Sequence, residues 1–152
     1  MDILGARQEV RRFNQMVSEI DAVYHETARK LGMSDSEQQI LYAICNLGTP
    51  CLLSEIVRFS ATSKQTINSA LRKMEKEDIL LVEAVNGRKK QVLLTEKGKI
   101  LLRETVMQVV EAENEIYSEW TEEEVMLYLE LTQKYLVAFR EKTKNMKRRE
   151  NV

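Results

Sequence analysis

The segment spanning residues 54–98 constrains the fold of this chain more than any other part of the sequence. It predicts a short helix over residues 54–59, a tight turn, and a second helix that opens at Ser63. An apolar strand over residues 79–85 and a return strand over residues 91–94 follow. This order is typical of a helix-turn-helix with an attached β-wing, a unit that places one helix in a groove of DNA.

The link between the two strands predicts the tip of that wing. The pair Asn86-Gly87 suits a tight hairpin turn in which the backbone takes positive φ. Three cations follow it directly, Arg88, Lys89 and Lys90. We expect these side chains to enter a minor groove or to clamp the phosphate backbone.

The start of the second helix carries the predicted base contacts. Ser63 is the expected N-cap, its hydroxyl accepting from the amide of Thr66. Gln and Asn side chains bond adenine with two hydrogen bonds, while Ser and Thr bond either bases or phosphates. Arg72 lies further along and is expected to reach a phosphate. The residues predicted to meet base edges are Lys64, Gln65, Thr66, Asn68 and Ser69.

The charge of the chain is unevenly distributed. The whole chain carries a net charge of −1, but residues 58–103 hold 11 Lys and Arg against 5 Asp and Glu. That block is therefore +6 and the remainder −7. A basic block in an otherwise acidic chain is the electrostatic footprint of a nucleic-acid-binding surface.

The sequence outside this segment predicts long amphipathic helices. Apolar residues at steps of three and four indicate a helix over residues 9–31, and Thr95 is expected to cap another that continues to about Trp120. Thr121 and Glu124 predict a capping box at the start of the last helix. Each of these helices spans about 30 Å. We expect the terminal helices of two chains to interlock in a homodimer, because a helix-turn-helix usually reads two half-sites.

Composition and cysteine content define the general class of protein. With 152 residues, 43% hydrophobic and 31% charged, the chain is expected to form one globular unit. No apolar run approaches the ~20 residues of a membrane span, and residues 1–5 lack a secretory signal, so a cytoplasmic location is expected. Cys45 and Cys51 flank a turn and are expected to be reduced thiols, one of them in the core. On the short helix, Ile56, Val57 and Phe59 are expected to face the core.

Two stretches resemble the MarR family of transcriptional regulators. Residues 63–76 (SKQTINSALRKMEK) are similar to that family's recognition helix, and residues 92–98 (VLLTEKG) to its junction between the wing and the next helix. Arg88, seven residues before Thr95, corresponds to the family's wing arginine. Asn86 stands where the family usually has the aspartate that supports this arginine, which predicts a more mobile wing.

The resemblance extends over nearly the whole chain and implies its architecture. The fold is expected to be mainly α with a small β-wing. Residues 34–98 would form the winged helix-turn-helix lobe, residues 1–33 and 99–145 the dimerisation helices, and residues 146–152 a disordered basic tail. The resemblance further implies a homodimeric repressor that binds palindromic operators in double-stranded DNA and is released by small phenolic or aromatic molecules.

An effector pocket, if present, is expected between the dimer helices and the lobe. Tyr24, His25 and Tyr42 are the predicted ligand contacts, with Arg29 and Met33 nearby; ordinary packing is the alternative interpretation. His25 is the only histidine and lacks metal-ligand spacing, so no metal site is predicted.

The other classes of function are an enzyme and a protein-interaction module. The sequence contains no nucleophile–base pair, paired catalytic carboxylates or phosphate-cradling glycine loop, so neither an enzyme nor a cofactor is predicted. The alternative to DNA binding is a winged-helix interaction module whose basic face docks an acidic protein.

Overall fold

The computed structural model describes residues 5–149, within which it contains seven helices and three strands. The predicted fold class, mainly helical with a small wing, is confirmed. Residues 1–4 and the last three residues of the predicted basic tail, 150–152, lie outside the described residues. In chain order the elements are α1 (Gln8–Lys30), α2 (Asp35–Leu47), β1 (Cys51–Leu52), α3 (Leu53–Ser60), α4 (Lys64–Lys76), β2 (Leu80–Asn86), β3 (Lys89–Leu94), α5 (Glu96–Glu104), α6 (Val106–Ser118) and α7 (Glu122–Thr143).

The described residues form two compact units, which divide between Val110 and Glu111. The sequence predicts which residues form a DNA-binding lobe and which form dimerisation helices. Because this assignment concerns a dimer, it stays a prediction. None of the described helices combines the length and the apolar character that a membrane crossing requires.

The small sheet of the first unit is antiparallel, with β3 between β1 and β2. Val92 at its centre faces Cys51 on one side and Val82 on the other, and Val92 is fully buried. The sequence did not predict β1, because a strand of two residues is too short for any alternation of apolar and polar side chains to be visible.

The wing turn is one residue later than predicted. Asn86 pairs with Lys89, so the turn consists of Gly87 and Arg88, and Gly87 carries the positive φ of 55°. A register irregularity between Ala84 and Asn86 produces this shift. Consequently Lys89 and Lys90 belong to β3, and of the three cations only Arg88 lies in the turn.

A single apolar core holds the helices of the first unit to the sheet. It is built from aliphatic and sulfur-containing side chains on the inner faces of α2 to α6 and the sheet. The fully buried members with the largest side chains are Ile40, Leu41, Ile44, Ile56, Ile67, Met74, Leu80, Val92 and Val106.

The prediction that Phe59 faces this core is wrong. Ile56 on the same helix is buried, whereas Phe59 is 43% exposed and its ring lies 6.0 Å from that of Tyr42, centroid to centroid. Since α3 has only eight residues and ends at Ser60, its last turn lies at the edge of the core.

The prediction of one continuous helix from Thr95 to about Trp120 is also wrong. The helix is interrupted at Thr105, where φ is −121° and ψ is −93°, and α6 begins at Val106. The buried Thr105 hydroxyl donates to the carbonyl of Leu101 at 2.6 Å. Such bonds from a threonine to the preceding turn compete with the helical pattern and bend helices.

Each unit leaves an apolar helix surface uncovered. On α1 the residues Val10, Phe13, Val17 and Ile20 are each at least 40% exposed, although they follow the helical period. In the second unit the predicted capping box of Thr121 and Glu124 is present at the start of α7, yet no described residue of α7 is buried.

Candidate nucleic-acid interface

The start of α4 is fixed by the cap that the sequence predicts. The Ser63 hydroxyl accepts from the amide of Thr66 at 3.2 Å and donates to the Thr66 hydroxyl at 2.8 Å. Ala61 before it takes a left-handed conformation, with φ of 51°, which turns the chain sharply between α3 and α4. The predicted helix-turn-helix therefore forms with α4 as its second helix.

The two faces of α4 separate core residues from the predicted DNA contacts. Ile67, Leu71 and Met74 are buried on one side. Asn68 is half-buried on the other. The remaining predicted contacts on this helix are exposed, namely Lys64, Gln65, Thr66, Ser69 and Arg72.

The wing and α4 are brought together along one groove. A depression of about 430 Å³ is lined by Lys64 and Asn68 from α4 and by Arg88, Lys89 and Lys90 from the wing. Lys90 and Asn68 also line a neighbouring groove of about 390 Å³ that contains Arg72. Positions 18 to 26 residues apart thus form one surface, as the predicted pairing of recognition helix and wing requires.

The cations of this surface are not neutralised by the protein. Among the described residues, Lys64, Arg88, Lys89 and Lys90 form no ion pair, and the Arg72 Nε atom donates only to the carbonyl of Asn68 at 3.3 Å. Cations left without carboxylate partners on an exposed surface favour an anionic ligand.

The neighbouring lysine of α4 behaves differently. Lys73 lies 3.3 Å from the carboxylate of Glu37, which is mostly buried, and 4.0 Å from that of Glu77. It therefore ties α4 to α2, and its charge is already balanced.

Two residues that sequence reasoning missed hold the wing in place. The Glu75 carboxylate of α4 accepts from the amide of Val82 in β2 at 3.0 Å. The Thr49 hydroxyl accepts from the amide of Leu94 in β3 at 3.2 Å. Neither contact has a sequence signal, because each depends on a side chain reaching a backbone amide that is distant in the chain.

The predicted ligand contacts Tyr24, His25 and Tyr42 lie together in a cleft of about 480 Å³ on the first unit. The rings of Tyr24 and Tyr42 meet edge to face at 6.1 Å. Arg29 and Met33 do not line this cleft, and Met33 belongs to the core instead. That a ligand binds there stays a prediction.

Both cysteines are reduced, and Cys51 is buried in the sheet. Burial, and secondarily the charge of Glu55, raises the pKa of the Cys51 thiol to about 11. No cluster of three or more metal-ligating side chains occurs in the described part of the chain.

We expect Cys51 to be chemically inert in the folded protein. The thiolate is the reactive form, and a pKa near 11 leaves few thiolates at pH 8, so alkylation by iodoacetamide should be on the order of a hundredfold slower than in urea. Mass spectrometry of peptides from timed reactions measures this rate. The half-buried Cys45 serves as the internal control, and equal rates in the folded and unfolded protein would contradict the expectation.

Comparisons with known proteins place this geometry among solved structures. Protein-family models give no match to the chain, and neither do curated proteins. A MarR family regulator from Neisseria meningitidis superimposes with a TM-score of 0.77 at 15% identity, over 92% of this chain and 100% of that one. The S. aureus MepR–DNA complex gives 0.64 at 17% identity, over 88% and 99% of the two chains. Bordetella bronchiseptica BpsR, whose DNA binding is regulated by 6-hydroxynicotinic acid, gives 0.60 at 17%, over 82% and 98%. This chain therefore has the winged helix-turn-helix fold of the MarR family of transcription regulators.

Proposed function

We propose that this protein is a cytoplasmic, sequence-specific DNA-binding transcriptional repressor that acts as a homodimer on a palindromic operator. The observation that carries the proposal is the surface joining α4 to the wing, where polar side chains able to read bases lie beside cations that form no ion pair with any described residue. The likeness to MepR, which was solved as a DNA complex, supports the same function.

In this mechanism the α4 helices of two chains enter successive major grooves about 34–36 Å apart. Gln65, Asn68 and their neighbours read base edges, while Arg88, Lys89 and Lys90 contact the backbone of flanking DNA. A small-molecule effector in the cleft of Tyr24, His25 and Tyr42 would favour a conformation with lower affinity for DNA.

Electrophoretic retardation tests DNA binding directly. The purified protein should retard a fragment from the region upstream of its own gene in the presence of excess random-sequence competitor, and an equally long coding fragment serves as the control. A repressor should also lower transcription from that fragment in vitro. No specific retardation at low salt would instead favour a module that docks an acidic protein.

The exposed apolar row of α1 supports the proposed dimer. Four large side chains at helical spacing, each at least 40% exposed, form a patch of the kind that marks an interface. Sedimentation equilibrium at micromolar concentration should give twice the chain mass of 17.7 kDa. Replacing Phe13 and Ile20 with Asp should give monomers, and a monomeric wild-type protein would refute the dimer.

Arg88→Ala should weaken binding to all DNA sequences alike. Arg88 is exposed at the wing tip and carries no ion pair among the described residues, so it is placed to neutralise a phosphate. Removing one phosphate contact lowers the slope of log K against log salt by about 0.9 for each chain bound. Fluorescence anisotropy over a salt series measures this slope.

Arg140→Ala provides the matched control for that experiment. It removes the same charge from the exposed end of α7, in the second unit, and should leave both the affinity and the slope unchanged. If Arg88→Ala and Arg140→Ala behave alike, the wing does not contact DNA.

A further inference from the structure

The cleft beside α1 has an unusual combination of lining groups. Three aromatic rings follow one another along it, Tyr24 to Tyr42 at 6.1 Å and Tyr42 to Phe59 at 6.0 Å between centroids. The carboxylates and the imidazole that line it belong to Asp21, Asp35 and His25. No Lys or Arg of the described chain contributes to its lining.

The two carboxylates of the cleft differ in whether they already bond to another side chain of the protein. His25 Nδ1 lies 2.9 Å from Asp35 Oδ1, so one oxygen of Asp35 accepts the imidazole N–H. Asp21 forms no ion pair or hydrogen bond with any described residue. The electrostatic character of the cleft is therefore negative, and Asp21 is its open acceptor.

The uncharged groups of the cleft add to this character. The faces of aromatic rings carry negative potential and attract cations, most strongly those that are weakly hydrated. The amide oxygen of Gln39 accepts from the Thr62 hydroxyl at 2.6 Å, and the Gln38 amide nitrogen donates to the Tyr24 carbonyl at 3.0 Å. These bonds engage the Thr62 hydroxyl and the Gln38 amide within the protein.

We infer that this cleft binds a small organic cation with an aromatic or branched aliphatic body, such as a quaternary ammonium compound. A volume of about 480 Å³ lies within the range of small-molecule sites. Asp21 supplies the counter-charge and the three rings supply the cation–π surface. A carboxylate such as 6-hydroxynicotinate, which regulates BpsR, would be repelled by Asp21.

The cleft has a direct structural connection to the recognition helix. Phe59 and Thr62 line it, and Thr62 immediately precedes Ser63, the residue that caps α4. A cation bound in the cleft contacts Phe59 and the hydrogen bond between Thr62 and Gln39. Its binding therefore acts on the turn between α3 and α4, where α4 begins. The cation is therefore the effector that lowers the affinity of the protein for DNA. This regulatory role rests on the proposed function.

Isothermal titration of the full chain without DNA tests the ligand class. Benzyltrimethylammonium should bind with one site per chain, whereas neutral benzyl alcohol and anionic 6-hydroxynicotinate should bind at least tenfold more weakly. Equal or tighter binding of the neutral or anionic compound would overturn the inference, as would no binding of the cation.

Titration of three variants with the same cation tests where on the protein it binds. Asp21→Asn removes the charge without changing shape and should weaken cation binding about fivefold, as expected for an ion pair near solvent. Tyr42→Leu should weaken it by at least as much through loss of the central ring. Glu19→Gln removes the same charge from a neighbouring position of α1 outside the cleft and should have no effect. Unchanged binding by Asp21→Asn would refute the assignment.

A final measurement separates this inference from the proposed function. Saturating benzyltrimethylammonium should lower the affinity for a retarded DNA fragment at constant ionic strength, and the Asp21→Asn protein should respond more weakly. Cation binding with no DNA retardation would uphold the ligand class and reject the DNA-binding function. DNA binding that saturating cation leaves unchanged would reject the effector role alone.

Discussion

Gly98→Ala should destabilise the protein by about 3 kcal/mol, a large fraction of the stability of a typical domain. A Cβ atom at position 98 would collide with the backbone carbonyl oxygen of Ile79, and it would also crowd the Leu94 side chain at 3.2 Å. Glycine to alanine within a helix normally gains about 1 kcal/mol because alanine has the higher helix propensity. Here the collision is with backbone, which moves far less easily than a side chain, so the steric cost outweighs the gain.

The surroundings of Gly98 explain why the backbone cannot withdraw. The Thr95 hydroxyl donates to the carbonyl of Asp78 at 2.6 Å and accepts from the amide of Gly98 at 3.0 Å, and the Thr95 amide donates to the carbonyl of Ile79 at 3.1 Å. The start of α5 is thus bonded to the two residues that precede β2, at the point of closest approach. Separating them would break these bonds.

Thermal and urea unfolding followed by circular dichroism measure the effect. A loss of about 3 kcal/mol corresponds to a fall in Tm of roughly 10 °C for a chain of this size. Arg103→Ala, on the exposed side of the same helix, should change the free energy of unfolding by less than about 0.5 kcal/mol. A Gly98→Ala protein as stable as wild type would show that the approach of α5 to β2 is looser than the structure indicates.

The sequence predicts the recognition helix well because its determinants are local. Ser63 caps α4 through the amide of Thr66, three residues along, and Ile67, Leu71 and Met74 recur at the helical period. The antiparallel pairing of β2 with β3 follows from alternation around a glycine turn. A structural feature whose determinants lie within one helical turn or one hairpin can therefore be predicted from the sequence.

Features that depend on distant residues could not be predicted in this way. The two-residue β1 is a strand only because β3 lies beside it. The break at Thr105 is local but has no distinctive pattern, because Thr132 forms the same bond to the preceding turn within the unbroken α7. The apolar character of Phe59 predicts a position in the core, yet α3 ends too early to bury it. The candidate sites show the same difference between local and distant determinants. The DNA-contact residues lie close together in the sequence, in α4 and the hairpin. Asp21 and Thr62, in contrast, line one cleft only because the elements that carry them pack together.

The double substitution Gln65→Ala and Asn68→Ala should abolish most discrimination between the operator and other DNA. Each amide side chain is placed on the outer face of α4, where it can form two hydrogen bonds to an adenine edge. A good pair of such bonds contributes about 1–3 kcal/mol, so each loss should weaken specific binding about ten- to a hundredfold. Neither side chain is charged, and affinity for random DNA should therefore change little.

Competition anisotropy with operator and scrambled duplexes at several salt concentrations distinguishes this outcome from general damage. Specific affinity should fall while the salt slope stays constant, the reverse of the pattern expected for Arg88→Ala. Gln108→Ala removes an exposed amide from α6, and it should leave both affinities unchanged. If the double variant lost operator and scrambled DNA equally, α4 would contact only the backbone, and specificity would have to come from DNA shape read by the wing.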